Sequence, residues 1–319
     1  MNFGKRNRST TSSLTVSLLR EGVVESSHIC QAAVADTRGR VLSVAGDAQT
    51  ATFARSALKP IQAIAVSATG TQERFNLSEA DLAVICGSHQ GNIQQARQVF
   101  NILWRCDVEA SALQCPIPDG KSSPLQYNCS GKHAGMIAVC QQKGWEISSY
   151  MNANHPVQQL ILEKMAELLH MPPAEFIGAH DDCGVPTYLL ELGQLAHLYA
   201  QLAAHNQLHL ERITRAMTHY PEMISGDGEF DTELMRRTQG ALVSKSGAEG
   251  VQCVGRVGEG LGLSIKVMDG AKRAKHAVAI HLLRQMGWIT PSIAESLEET
   301  FIVLGEYKRL EVTGELSII

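Results

Sequence analysis

The chain has 319 residues, 44% hydrophobic and 19% charged, with a formal net charge of −4. That balance is ordinary for a globular protein, and without a basic stripe it argues against nucleic acid as a partner. No apolar run approaches the roughly 18 residues of a membrane-spanning helix, which argues against a membrane span.

The length admits one large α/β unit with two lobes as readily as two domains. The N-terminal MNFGKRNRSTTSS carries positive charge with no apolar run behind it, and reads as a short frayed tail, not a signal peptide. Eight cysteines and no export signal suggest a reducing compartment, which places the chain in the cytoplasm.

In chain order, residues 14–24 and 28–46 have β character, the second as a hairpin whose turn carries Asp36 and Gly39. Arg55-Ser56-Ala57-Leu58-Lys59-Pro60 lies where β character gives way to an Ala- and Ile-rich helical stretch over 57–68. Pro60 is tolerable there only in the first turn. Ser78 to Asp81 caps a short helix, and an apolar run to Cys86 leads into Gly87-Ser88-His89-Gln90-Gly91. Residues 92–104 read as a helix and 115–124 as a Pro- and Gly-rich loop. From Tyr127 to Met136 polar groups crowd the start of a helix reaching residue 143. Residues 156–169 are amphipathic, with Val157, Leu160, Ile161, Met165 and Leu168 on one stripe. A short segment to His180 precedes Asp181-Asp182-Cys183-Gly184, and helices are expected over 187–204, 209–219 and up to 237. Glycine-broken β runs over roughly 241–245 with 250–257 and then 261–267 lead into helices at 271–287 and 292–299 and a β-like tail. β elements at both ends with helices between predict an α/β (α+β) fold. One mainly antiparallel sheet, from 10–60 and 240–319, is flanked by helices, with a mostly helical lobe over 61–239 and a pocket between the lobes.

Ser56 and Lys59, three residues apart on a first helical turn, put a hydroxyl and an amine on one face. They make a nucleophile and its base if the lysine stays neutral. Bringing a lysine from about 10.4 to about 7 takes roughly 4–5 kcal/mol. Burial, the neighbouring Arg55 and the positive end of a helix supply it. On an exposed turn the same residues are a helix cap with a solvated lysine. Tyr127-Asn128-x-Ser130-Gly131 and the late-strand Lys245-Ser246-Gly247 complete an order that resembles serine β-lactamases and penicillin-binding proteins.

The blocks RSALKPIQ, CGSHQG, NCSGKHAGM, DDCGVP and KSGAEG together resemble the asparaginase family of rhizobia and other bacteria, distinct from the classical bacterial and plant-type enzymes. The resemblance implies a β-lactamase-like fold, hydrolysis of L-asparagine to aspartate and ammonia, and a homodimer. It implies two serine-lysine pairs: Ser56 with Lys59, and Ser88 with a late-strand lysine, Lys245 or Lys266. Ser56 is favoured as nucleophile by fold analogy, with Ser88 as proton relay or alternative nucleophile. Arg55, His133, Asp181 and Gly247 would meet the substrate, and Cys129, Lys132 and Cys183 would bind a zinc ion. By residue chemistry alone two cysteines and a lysine are an unusual zinc set, because the lysine binds only as the neutral amine. Two ordinary buried thiols are the plain alternative. Cys253 has no assigned role.

A glutaminase would use the same chemistry, since one methylene is worth only about 1–3 kcal/mol of discrimination. A penicilloyl-serine enzyme is opposed by the cysteine-bearing middle block. From another class, the fold would suit a non-catalytic metal- or thiol-sensing protein.

Overall fold

Alternating burial of Leu14, Val16 and Leu18 against Thr15 and Ser17 makes the first strand of a sheet with one buried face. The structure is a computed structural model that describes residues 10–319, so the expected N-terminal tail lies, up to residue 9, outside the described residues. β1 (Leu14–Arg20) turns through Glu21 and Gly22, both at positive φ, into β2 (Val23–Asp36). This two-residue turn suits a tight hairpin. The break was expected at 25–27, where Ser26 and Ser27 interrupt the apolar pattern. Those residues instead continue β2, whose first half is mostly exposed on the outer face. β3 (Val41–Ala45) follows the predicted turn, in which Asp36 Oδ1 accepts from the amides of Arg38 (2.9 Å) and Arg40 (3.0 Å).

β4 (Ala51–Phe53), β5 (Ile177–His180) and β6 (Pro186–Glu191) form a small second sheet in the order β4-β6-β5. β6 occupies residues expected to begin a helix. Pro186, Thr187 and Tyr188 pair with β5, Leu190 and Glu191 with β4, and Leu189 with both, and the helix Leu192–Ala203 starts only after that pairing ends. β7 (Leu242–Gly247), β8 (Val251–Arg256), β9 (Leu261–Val267), β10 (Lys308–Thr313) and β11 (Ser317–Ile318) complete the main sheet. Its order is β10-β1-β2-β9-β8-β7, with β3 bridging β2 and β11, and every pairing is antiparallel.

The helices Lys272–Gln285 and Pro291–Phe301 cover one face through Val278, Leu282 and Leu297 against Leu263 and Ile265. The other face receives Leu192–Ala203, beyond which the remaining helices pack. Contact there is backbone to backbone. A Cβ on Gly262 would lie 2.0 Å from Ala196 O, and one on its cross-strand partner Gly255 would lie 2.7 Å from Tyr199 O. Gly262→Ala is therefore expected to lower the urea midpoint by the equivalent of about 1–3 kcal/mol, as overpacking does. An unchanged midpoint would show that the helix does not ride directly on the strand. Among the described residues no helix is long and apolar enough to cross a membrane.

Candidate active site

The Ser56 turn is held from two sides. Ala54 N donates to Tyr188 O of β6 at 2.9 Å, and Arg55, at φ 50°, donates its amide to Thr187 Oγ1 at 3.0 Å. From β7, Gly247 approaches so closely that a Cβ there would sit 3.0 Å from Ala54 O. The stretch predicted as one helix over 57–68 is divided into a 3-10 turn (Arg55–Leu58) and short helices over Lys59–Gln62 and Ile64–Ala68. Pro60 falls in the first turn of the second piece, as its missing N–H requires.

Ser88 arrives from a different direction. The helix Glu79–Cys86 crosses the helix Ser130–Lys143 at two glycines. A Cβ on Gly131 would lie 2.1 Å from Val84 O, and one on Gly135 would lie 2.8 Å from Ile85 Cγ2. This close crossing carries Gly87-Ser88 and Asn128 onto Lys59. The Lys59 Nζ donates to Gly87 O at 2.6 Å and Asn128 O at 3.3 Å, and lies 2.8 Å from Ser88 Oγ. Lys59 is fully buried. Burial first, with the Lys132 charge adding, pushes its pKa down against the pull of Cys129 and Cys183. A neutral amine here gives its two N–H bonds to the two carbonyls and turns its lone pair to the Ser88 hydroxyl, the geometry of a base.

The pairing thus differs from the expected one. The lysine in contact with Ser88 is Lys59, not a late-strand lysine. Lys245 Nζ donates to Ser246 O at 2.8 Å. Its pKa is lowered to about 7, by burial above all, with the charges of Lys59 and Lys275 adding and that of Asp231 opposing. Lys266 donates to Glu249 O, is only half-buried, and is not on the cavity wall. Ser56 Oγ has no hydrogen-bond partner among the described residues.

The cavity measures about 340 Å³, and its wall includes Ser56, Ser88, His89, Lys245, Gly247 and Lys275. Of the residues expected to meet substrate, Gly247 lines it, whereas Arg55, His133 and Asp181 do not. His89 is neutral, because burial lowers its pKa to about 3. Its Nδ1 accepts from Gly91 N, so Nε2–H donates to Ser130 Oγ at 3.0 Å, which in turn donates to Leu125 O. Asp231, another wall residue, escaped the sequence reading. Its carboxylate accepts from Ser244 Oγ (2.7 Å), Ser246 N (2.8 Å), Gln252 Nε2 (2.9 Å) and Ser225 Oγ (3.3 Å), fixing the end of β7. Burial opposes its charge, but Lys245 and the Gln252 hydrogen bond outweigh that and bring it to about 2. The available signal was an acid on the same buried helix stripe as Leu234 and Met235.

Beside this wall lies a charged thiol cluster. Lys132 Nζ is 3.1 Å from Cys183 Sγ and 3.6 Å from Asp181 Oδ2. The neighbouring Cys183 thiol holds Cys129 well below the usual thiol range, with Lys59 and Lys132 assisting against burial. Arg55 spans the outer side, with Nε on Asp181 and Nη2 on Asp182, both at 2.5 Å. Burial works against the Asp181 charge, yet Lys132 and Arg55 keep its pKa lowered. His133 Nδ1 meets Tyr150 Oη at 2.6 Å, while its Nε2 is buried without a partner. Among the described residues no set of three His, Cys, Asp or Glu side chains is placed to hold a metal, so a metal here needs the lysine as a donor. Two tetrahedral ligands at about 2.0 and 2.3 Å from zinc stand about 3.5 Å apart, close to the 3.1 Å between Lys132 Nζ and Cys183 Sγ. This pair fits the ion, with Cys129 beside Cys183 as the third donor. Against burial, Cys129, Cys183 and Asp181 favour the charge on the Lys132 amine, which would have to lose its proton to bind.

The family described as L-asparaginase II matches residues 16–318. The chain belongs to that family. The structure has the antiparallel sheet with helices on both faces that the sequence predicts, with Ser-x-x-Lys packed beside the strand that carries Lys-Ser-Gly. Among curated proteins no match is found. Of the solved structures, Mglu in its native form matches 82% of this chain at 14% identity and TM-score 0.37, and the chain spans only 61% of the Mglu chain. A β-lactamase (Mb2281c) from Mycobacterium bovis matches 86% of this chain and 95% of its own at 12% identity and TM-score 0.37. Both likenesses are weak.

Proposed function

We propose that the chain hydrolyses L-asparagine to L-aspartate and ammonia by acyl transfer through Ser56. The observation that carries this reading is the buried Lys59 amine in contact with the Ser88 hydroxyl at a cavity that Ser56 also lines. Ser56 is preferred over Ser88 on its backbone. The Ser88 amide is spent on Ile224 O at 2.6 Å, whereas the amides of Ser56 and Ala248, both wall residues, have no acceptor within the described chain. A nucleophile whose own N–H is free contributes to an oxyanion hole.

The Ser56 oxygen attacks the side-chain amide carbon while its proton passes to Lys59, through Ser88 where the hydroxyl intervenes. The oxyanion is held by the Ser56 and Ala248 amides. The proton then moves to the departing nitrogen, ammonia leaves, and a β-aspartyl ester remains on Ser56. Water, deprotonated by the same lysine, hydrolyses that ester.

Cys129, Lys132 and Cys183 are the residues that would hold zinc. When bound it supplies a cation that balances the thiolates, ties the 183 loop to the start of the 130–143 helix, and keeps a fourth position for water or a ligand. Fresh protein is expected to carry stoichiometric zinc by elemental analysis, lost in Cys183→Ser; zinc-free wild-type protein would reject the site. The family resemblance also supports a homodimer, and eight free cysteines support a reducing, cytoplasmic compartment.

Ammonia release from purified protein tests the function. Asparagine is expected to be turned over at least about 10-fold faster than glutamine, the least that one methylene gives. Faster turnover of glutamine would make the chain a glutaminase, and no ammonia from either would end the hydrolytic reading.

A further inference from the structure

Lys275 is a buried cation that this mechanism leaves unused. It stands in the first turn of the helix Lys272–Gln285, 5% exposed, on the cavity wall. Its Nζ donates to Gly247 O at 3.0 Å and to Val251 O at 3.4 Å, which leaves one of three N–H bonds unspent. Among the described residues no carboxylate comes within ion-pairing distance of Lys275, whereas Lys272 at the mouth is paired with Glu229 at 2.9 Å. The carboxylate of Asp231 in the same wall is already occupied by its own four donors.

An unpaired buried charge is costly. This one stands at the positive end of a helix with no acidic residue in its first turn, which adds to the cost. An anion in the cavity would relieve both. Burial, opposed by Asp231, lowers the Lys275 pKa only to about 8, so the amine remains charged at neutral pH.

We propose that Lys275 receives the α-carboxylate of the amino-acid substrate, making the cavity selective for ligands that carry a free carboxylate beside the amide. The identity of that substrate rests on the asparaginase reading, but the charge preference is measurable without turnover. The two carbonyls that fix Nζ belong to the end of β7 and the start of β8, so the cation is anchored to the strand that carries Lys245 and Ser246.

Calorimetric titration of the full chain with succinamate and with neutral succinamide decides the matter, because the two differ only in carboxylate against amide. Wild-type protein is expected to bind succinamate at least 10-fold more tightly. Lys275→Met should bring the ratio close to one, and Lys272→Met should keep it. Should Lys275→Met fail to fold, Lys275→Gln, which retains a donor for Gly247 O, carries the same comparison. Equal or undetectable binding of both ligands to the wild type, or a ratio that survives loss of the Lys275 charge, overturns the assignment. Selective succinamate binding in a protein that releases no ammonia would support the subsite while overturning the hydrolytic reading. Ammonia release without charge preference would do the reverse.

Discussion

Ser56→Ala is expected to lower kcat/KM for asparagine by about 10⁴-fold or more, the scale seen when a covalent nucleophile is removed. Ser88→Ala should cost less, about 10²-fold, because it shortens a proton path without removing the atom that is acylated. The difference follows from the backbone. The Ser88 amide is committed to Ile224 O, so a tetrahedral intermediate on Ser88 would lack the donor that a nucleophilic serine normally supplies from its own residue. Rapid quenching followed by mass spectrometry of the peptides locates the ester. It should be found on Ser56 in wild-type and Ser88→Ala protein. An ester on Ser88, or full turnover by Ser56→Ala, would transfer the nucleophile's role to the other hydroxyl. Neither serine is fully buried, so truncation to alanine leaves the core intact and stability near the wild type serves as the control.

The local half of this site was legible in the sequence. Ser56 and Lys59 are read from a strand-to-helix turn, and the Asp36–Gly39 hairpin follows from turn chemistry that acts within four residues. What stayed hidden depends on contacts far apart in the chain. Ser88 meets Lys59 because two helices cross at Gly131 and Gly135 against Val84 and Ile85, and no spacing within either segment announces that crossing. β6 reads as helix in the sequence, where Leu189, Leu190, Leu192 and Leu195 form an apolar pattern, because its pairing partners lie far off at 51–53 and 177–180. Asp231 and Lys275 belong to ordinary-looking helices, and only the packing of those helices against the end of β7 makes them wall residues. The thiol cluster shows the same limit: Cys129 and Cys183 stand 54 positions apart in the sequence, and only the tertiary fold makes them neighbours.

Lys59→Met should reduce turnover by about 10²–10⁴-fold, the range for a lost general base, with binding of succinamate nearly unchanged because Lys59 does not line the cavity. Methionine matches the length of the lysine stem, so the loss is of the amine and not of packing volume. It leaves Gly87 O and Asn128 O without the Lys59 donor, and each unsatisfied buried carbonyl costs about 1–3 kcal/mol, so thermal unfolding must be followed alongside activity. Lys59→Arg separates the base from the charge. Arginine keeps a cation at this position but does not give up its proton in a protein. If Lys59 worked by its charge, through attraction of an anionic ligand or of the oxyanion, arginine would preserve much of the rate. If it works by accepting the proton of a hydroxyl, arginine fails as completely as methionine, since no lone pair faces the serine. We expect the second result, because two carbonyls already take two N–H bonds of an amine that burial drives toward neutrality. Substantial activity in a folded Lys59→Arg protein would remove the neutral amine from the mechanism and leave Lys245, with its pKa near 7, as the group that moves the proton.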